Sequence, residues 1–382
     1  MPIGKSLFHG AMLGTALAAS ALAPAAAAGD TDTLLHSFTG ALNDGGEPLA
    51  EVTLDASGDI YGDTSLGGAN SEGTVFEFAA DGTEMLLHSF GGTGDGTEPE
   101  GAAIFDANGN MYGSTWAGGA SNNGTIWELA ANGTYTLLHS FAANEGSNMR
   151  GRLAQDSQGN LYGTAYQGGA GGDGSVFEYS AGGELDVLHS FDGTDGENPI
   201  FGVVIDKSGN LYGVTSAGGT GNAGTVYKIS GKGRFTSLYS FTGGPDGDTP
   251  YGGLAIDKKG NLYGSTLAGG SNENGTVFEM TPGGTLTTLY RFAGGAGGSA
   301  PEGDILLAGK ALYGTARNAG PHNNGGVYEV TFAGSEKLLR AFSRKDGYGY
   351  SGGVTASGNI LYVTAPLGGA YRNGTLFSLT KK

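Results

Sequence analysis

The sequence predicts an all-β fold, a seven-bladed β-propeller with four antiparallel strands per blade, on three observations. A Tyr, followed in most copies by Gly, recurs at Tyr61, Tyr112, Tyr162, Tyr212, Tyr263, Tyr313 and Tyr362, at spacings of 49 to 51 residues. A Phe closing a β-prone run recurs in step at Phe38, Phe90, Phe141, Phe191, Phe241, Phe292 and Phe342. Within each unit, four short β-prone runs alternate with turn signals, and a period near 50 with four strands per repeat is the pattern of a propeller blade.

The units read in order as follows. In the fifth, residues 253–256, 261–266, 276–280 and 286–292 are the four strands. The first turn is typified by Asp106-Ala-Asn-Gly-Asn and Asp257-Lys-Lys-Gly-Asn, where Asp caps the turn and Gly takes the left-handed position. The second connection carries Gly pairs such as Gly118-Gly119 and Gly269-Gly270, which supply positive φ. A lone blade cannot cover both faces of its sheet, so the blades must stack into a closed ring. Residues 34–38 form an outer-type strand ahead of any inner strand, and the chain ends on a third strand at 375–379. The N-terminal strand is therefore expected to complete the seventh blade and remove the exposed edges.

Composition narrows the function classes. The 382 residues include 77 Gly and only 15% charged residues, which demands frequent tight turns and argues against both a disordered and a helical chain. A net charge of -18 repels phosphate backbones and anionic lipid, so nucleic acid and membrane surfaces are poor partners. Without Cys there is no disulfide, thiolate metal site or thiol nucleophile. Lys5, the short apolar run 11–22 and the small residues 24–28 read as a signal peptide cleaved after Ala28. That leaves 29–382 as a single propeller, expected to be a monomer without membrane insertion and either secreted or periplasmic.

The pattern Leu-Tyr-Gly-x-Thr, Gly-Gly, Gly-Thr-Val-Phe-Glu, Leu-His-Ser-Phe resembles the bacterial choice-of-anchor tandem-repeat family GloVer, and more distantly the NHL-type propeller repeats. The match covers residues 31–382, with departures at Ala308-Gly-Lys-Ala and at Val363, which replaces the repeat Gly. The resemblance implies a propeller and export, but no reaction, and so transfers no catalytic residue. The family name refers to C-terminal surface anchors, whereas this sequence reaches Lys382 just after its last strand. Release from the cell or periplasmic residence is the corresponding expectation.

Residues repeated in most blades serve the blade before they serve a ligand. His36, His88, His139 and His189 occupy equivalent outer-strand positions and are too far apart to share one ion. Asp55, Asp106, Asp156, Asp206 and Asp257 are read as turn caps. Asp106-Ala-Asn108-Gly-Asn110 has the start of a calcium loop, but Met111 stands where the sharp-turn Gly belongs and no bidentate Glu follows. The Asp-Gly loops at Asp44, Asp95, Asp195, Asp246 and Asp346 are the more open to calcium, with a solvated turn as the default.

Function is expected where the pseudo-symmetry breaks, around the axial mouth. Ahead of the inner strands stand Leu49 and Glu51, Glu100, Arg150 and Arg152, Ile200, Tyr251, then Glu302 and Asp304. The second connection adds Ser65, Trp116, Tyr166, Ser216, Leu267, Arg317 and Pro366. Aromatic faces beside charged forks suit sugar rings, so Trp116, Tyr166, Arg150, Arg152, Glu51 and Glu100 are the candidate contacts to an extracellular glycan, peptide or protein. The plainer alternative is that such rim residues merely cover neighbouring loops. Replacing both arginines is expected to abolish binding at little cost in stability.

A second reading is an extracytoplasmic lyase or hydrolase acting on a polysaccharide. His322, the one His beyond residue 28 outside the repeated strand position, would join Tyr251, Glu302 and Asp304 in an acid/base set. Its support is fold analogy alone. A third is a structural envelope protein without a small ligand. No cofactor is called for by any of these beyond the calcium considered above.

Overall fold

The computed structural model describes residues 32–349 and 352–381; the expected signal peptide lies outside them. The described residues form seven four-stranded antiparallel blades. In the first blade, Thr53–Leu54 lies innermost, followed by Ile60–Thr64, Thr74–Phe78 and, outermost, Glu84–Ser89. The ring closes as the repeat phase requires: Asp32–Ser37 pairs with Thr375–Thr380 and becomes the outer strand of the seventh blade. Among the described residues no helix is long and apolar enough to cross a membrane.

The repeat Phe joins each blade to the next. Phe38, Phe90, Phe141, Phe191, Phe241, Phe292 and Phe342 are all at most 2% exposed. Each ring packs edgewise or tilted on an aromatic ring from the third strand of the following blade: Phe76, Trp127, Phe177, Tyr227, Phe278, Tyr328 and Phe377, at centroid distances of 4.9 to 5.8 Å. Such pairs add about 0.5–1.5 kcal/mol each beyond the burial of their area.

The Gly after the repeat Tyr makes room for these rings. A Cβ on Gly113 would stand 2.3 Å from the buried Trp127 ring, a distance no pair of carbon atoms tolerates. Gly113→Ala should therefore lower stability by about 1–3 kcal/mol in denaturant unfolding, the usual penalty of overpacking. The seventh blade carries Val363 here, fully buried beside Phe377.

Both turn expectations hold. Asp55, Asp106, Asp156, Asp206 and Asp257 each accept backbone N–H groups two and four residues on, as with Asn108 and Asn110 at 2.8 and 2.9 Å from Asp106. The departure at residue 308 is a shortening: Ala308 pairs with Ala311 across a two-residue turn, and Ser357 pairs with Ile360 likewise in the seventh blade.

Candidate functional site

Chain direction and strand pleat build the site. The residue six places ahead of the inner-strand pairing position is left-handed throughout, with φ of 55° at Glu47, 54° at Glu98, 65° at Asn148, 56° at Asn198, 54° at Thr249 and 53° at Ala300. This kink turns each segment into the axis. From there side chains alternate, so residues two apart share a face. Leu49 and Glu51, Glu100 and Ala102, Arg150 and Arg152, Tyr251 and Gly253, Glu302 and Asp304 are such pairs.

Seven of the ten sequence candidates meet around one constriction: Glu51, Glu100, Arg150, Arg152, Tyr251, Glu302 and Asp304 line a cavity of only about 20 Å³, room for about one water. Its lining carboxylates Glu51, Glu100 and Glu302 each meet an arginine. Arg150 Nε lies 2.8 Å from Glu100 Oε2, and its Nη1 donates to the Tyr251 hydroxyl at 3.0 Å. Arg317 Nη1 sits 3.3 Å from Glu302 Oε1. Arg152 Nη1 approaches Glu51 Oε1 at 3.7 Å, while Asp304 accepts the Gly253 N–H at 2.8 Å.

The electrostatics of this ring are set by dehydration. Burial, then the neighbouring Asp304 carboxylate, pushes the Glu51 carboxyl well above its ordinary range, and burial raises Asp304 against the pull of Arg152. The two carboxyls are close neighbours, so a charge on Asp304 opposes ionisation of Glu51. Burial also raises Glu100 and Glu302 despite Arg150 and Arg317.

Beyond the ring lies a larger cavity of about 640 Å³. Glu51, Arg152 and Asp304 form its floor, and Ile104, Leu153, Val203, Leu254, Ile305 and Val354 are among its walls. The larger open volume lies on the other side of the ion pairs from the kinked segments. The cause is the pairing itself, which a list of rim residues does not reveal.

The remaining candidates lie apart. Trp116 and Tyr166 are half-buried and tilted against each other at 34°, centroids 5.8 Å apart. Their backbone N–H groups are held by the carbonyls of Glu98 and Asn148, which fixes them to the same end as the kinks. His322 is exposed on the loop after Gly320 and lines neither axial cavity. Tyr251, Glu302 and Asp304 are thus brought together without it.

One residue escaped the sequence reading. Asp63, two places after the repeat Tyr, is fully buried and its carboxyl oxygens have no hydrogen-bond partner. Burial first, then Glu100, pushes its carboxyl well above the ordinary range. Other blades hold Ser114, Thr164, Val214, Ser265, Thr315 and Thr364 here, so one Asp among small residues was the available signal.

At the blade periphery the repeated histidines pair with the Asp-Gly loops. His88 meets Asp95 at 3.0 Å, His139 meets Glu145 at 2.9 Å and His189 meets Asp195 at 2.7 Å. Tyr239 donates to Asp246 at 3.0 Å, and Arg340 reaches Asp346 at 3.3 Å. The four histidines stand in four separate seams, as their equivalence implied.

Against known proteins, the chain covers 88% of its length and 94% of the other chain in a likeness to a streptogramin B lyase structure, with TM-score 0.61 and 11% identity. A second likeness is to the extracellular domain assigned to a one-component system of B. thetaiotaomicron, with TM-score 0.58, 13% identity and 87% of this chain covered. The chain spans 38% of that protein. At such identities only the propeller fold is shared. No curated protein sequence matches the chain. The family model described as the Gloeobacter/Verrucomicrobia repeat matches residues 18–204 and 199–382, in keeping with the seven-copy pattern, and the chain belongs to that repeat family.

Proposed function

We propose that the protein is an extracytoplasmic recognition module that binds a glycan at the axial mouth. The reading rests on one observation: seven polar or charged side chains from five blades converge on the axis, where the other two blades place Ile200, Gly202 and Gly353. Guanidinium and carboxylate groups in this setting suit sugar hydroxyls, and the Trp116–Tyr166 pair offers a flat apolar platform at the same end. A leader over residues 1–28 and a monomeric propeller belong to the same proposal.

The arginines are poor candidates for simple truncation. Arg150 neutralises Glu100, whose side chain is 13% exposed, so removing both arginines would strand buried carboxylates and destabilise the fold, contrary to the sequence expectation. The better variant is Glu100→Gln with Arg150→Gln, which removes both charges together. In a thermal-shift screen of neutral and acidic oligosaccharides, the wild type should be stabilised by a binding sugar and the double variant should bind about 10–100-fold more weakly. An unchanged affinity would remove the charged ring from the site.

A second reading, a lyase or hydrolase, is favoured by the neighbouring Glu51 and Asp304 carboxyls, both raised by burial, beside a cavity large enough for substrate. It predicts shortened or unsaturated saccharide products and their loss in Asp304→Asn. Binding without product returns the weight to recognition.

A further inference from the structure

We propose that His36, Asp44 and Glu84 form a zinc site at the seam where the ring closes. His36 belongs to the N-terminal strand, Asp44 to the loop that follows it, and Glu84 to the outer strand of the first blade. His36 Nε2 lies 3.3 Å from Asp44 Oδ1 and 3.3 Å from Glu84 Oε2, and the three donor atoms all lie within 4.8 Å of one another. Tetrahedral zinc, with bonds of about 2.0–2.1 Å, holds neighbouring donors about 3.3 Å apart. Two of the three separations therefore already match, and the third, between Asp44 and Glu84, is within 4.8 Å. A water would complete the fourth corner.

The donors are held in place before any ion arrives. Asp44 accepts the Thr39 N–H on Oδ2 and the Gly45 N–H on Oδ1, both at 2.7 Å. The His36 ring stands edge-on to Phe38 at 4.6 Å. Such outer contacts orient ligands in metal sites and sharpen their affinity. One imidazole with two carboxylates favours a borderline divalent ion over calcium, which takes oxygen alone.

The other seams provide internal controls. The residue equivalent to Glu84 is Tyr135, Leu185 and Phe235 opposite His88, His139 and His189. Tyr135 and Phe235 stack on their histidines at 3.8 and 3.7 Å, which leaves two donors and no third. Among the described residues, the closing seam alone gathers three. An ion there would tie the N-terminal strand, which completes the seventh blade, to the outer strand of the first blade.

The test uses the full chain, stripped with chelator and titrated calorimetrically with zinc chloride. One ion per chain is expected, with a raised unfolding temperature and visible d–d absorption when cobalt(II) is substituted. Glu84→Gln should weaken zinc by about tenfold or more, and His88→Gln should leave it unchanged. Glu84→Leu is a second variant that should fold, because Leu185 and Leu286 hold the same place in other blades. Absence of stoichiometric zinc, or equal affinity in wild type and both Glu84 variants, would overturn the site and reduce the cluster to an ion pair on an acidic surface.

Discussion

Phe38→Ala should destabilise the protein by about 3–5 kcal/mol, read as a lower denaturant midpoint. The ring is fully buried and tilted against Phe76 at 5.2 Å, so its removal opens a cavity between the seventh and first blades. The same cavity at Phe191 has a comparable energy but a different consequence. Phe191 follows a strand that a hairpin already joins to its own blade, whereas Phe38 follows a strand held to the seventh blade only by its pairing with Thr375–Thr380. The Phe38 variant should therefore also expose residues 32–38 to protease under native conditions, and Phe191→Ala should not. Equal protease resistance in the two variants would mean that closure does not depend on this contact.

Asp63→Thr should raise stability by about 1–3 kcal/mol at pH 8, since a buried, unpartnered carboxyl is replaced by a hydroxyl with an acceptor within reach. Thr164 and Thr364, at the same place in their blades, donate to the carbonyls of Phe201 and Ala50 at 3.0 and 2.8 Å. The sign with pH follows from the raised carboxyl. Because the folded state binds its proton more tightly than the unfolded chain, wild-type stability falls as pH rises above the unfolded value of 3.8 through the folded one. The gain from Asp63→Thr should accordingly be small near pH 4 and grow toward pH 8. Chemical unfolding at the two pH values measures it; a gain independent of pH would show that Asp63 is ionised and partnered by water.

These two residues also mark how far the sequence could be read. Phe38 was legible, because a marker in step with six others and an outer-type strand ahead of the first inner strand leave one way to close the ring. The Asp caps of the first turn were legible for the same reason: a repeated residue beside a repeated Gly states its own local geometry. Asp63 was not singled out, since it sits inside a strand whose side chain direction depends on the neighbouring blade. The histidines and the Asp-Gly loops were each seen but not joined. In every blade an extra residue between the third and outer strands shifts the pairing, as at Val75 and Phe76, and such bulges re-aim the side chains beside them.

At the axis, the sequence found Glu51, Glu100, Arg150, Arg152, Tyr251, Glu302 and Asp304 because these positions differ from blade to blade within an otherwise regular repeat. It could not reveal that they satisfy one another across blades and so close the mouth to about 20 Å³. His322 illustrates the opposite error source. An irregular loop in the right blade looked like part of a constellation, but the loop carries it outward into solvent.

The most direct measurement of binding at the mouth uses the protein's own fluorescence. The chain has two tryptophans: Trp127 is fully buried in the blade core, and Trp116 is half-buried beside Tyr166. Saccharide titration should change the emission of the wild type and of Trp127→Phe, and leave that of Trp116→Phe unchanged. Saccharide binding that is measurable by calorimetry while Trp116 emission stays constant would contradict the account, and place the ligand away from the mouth.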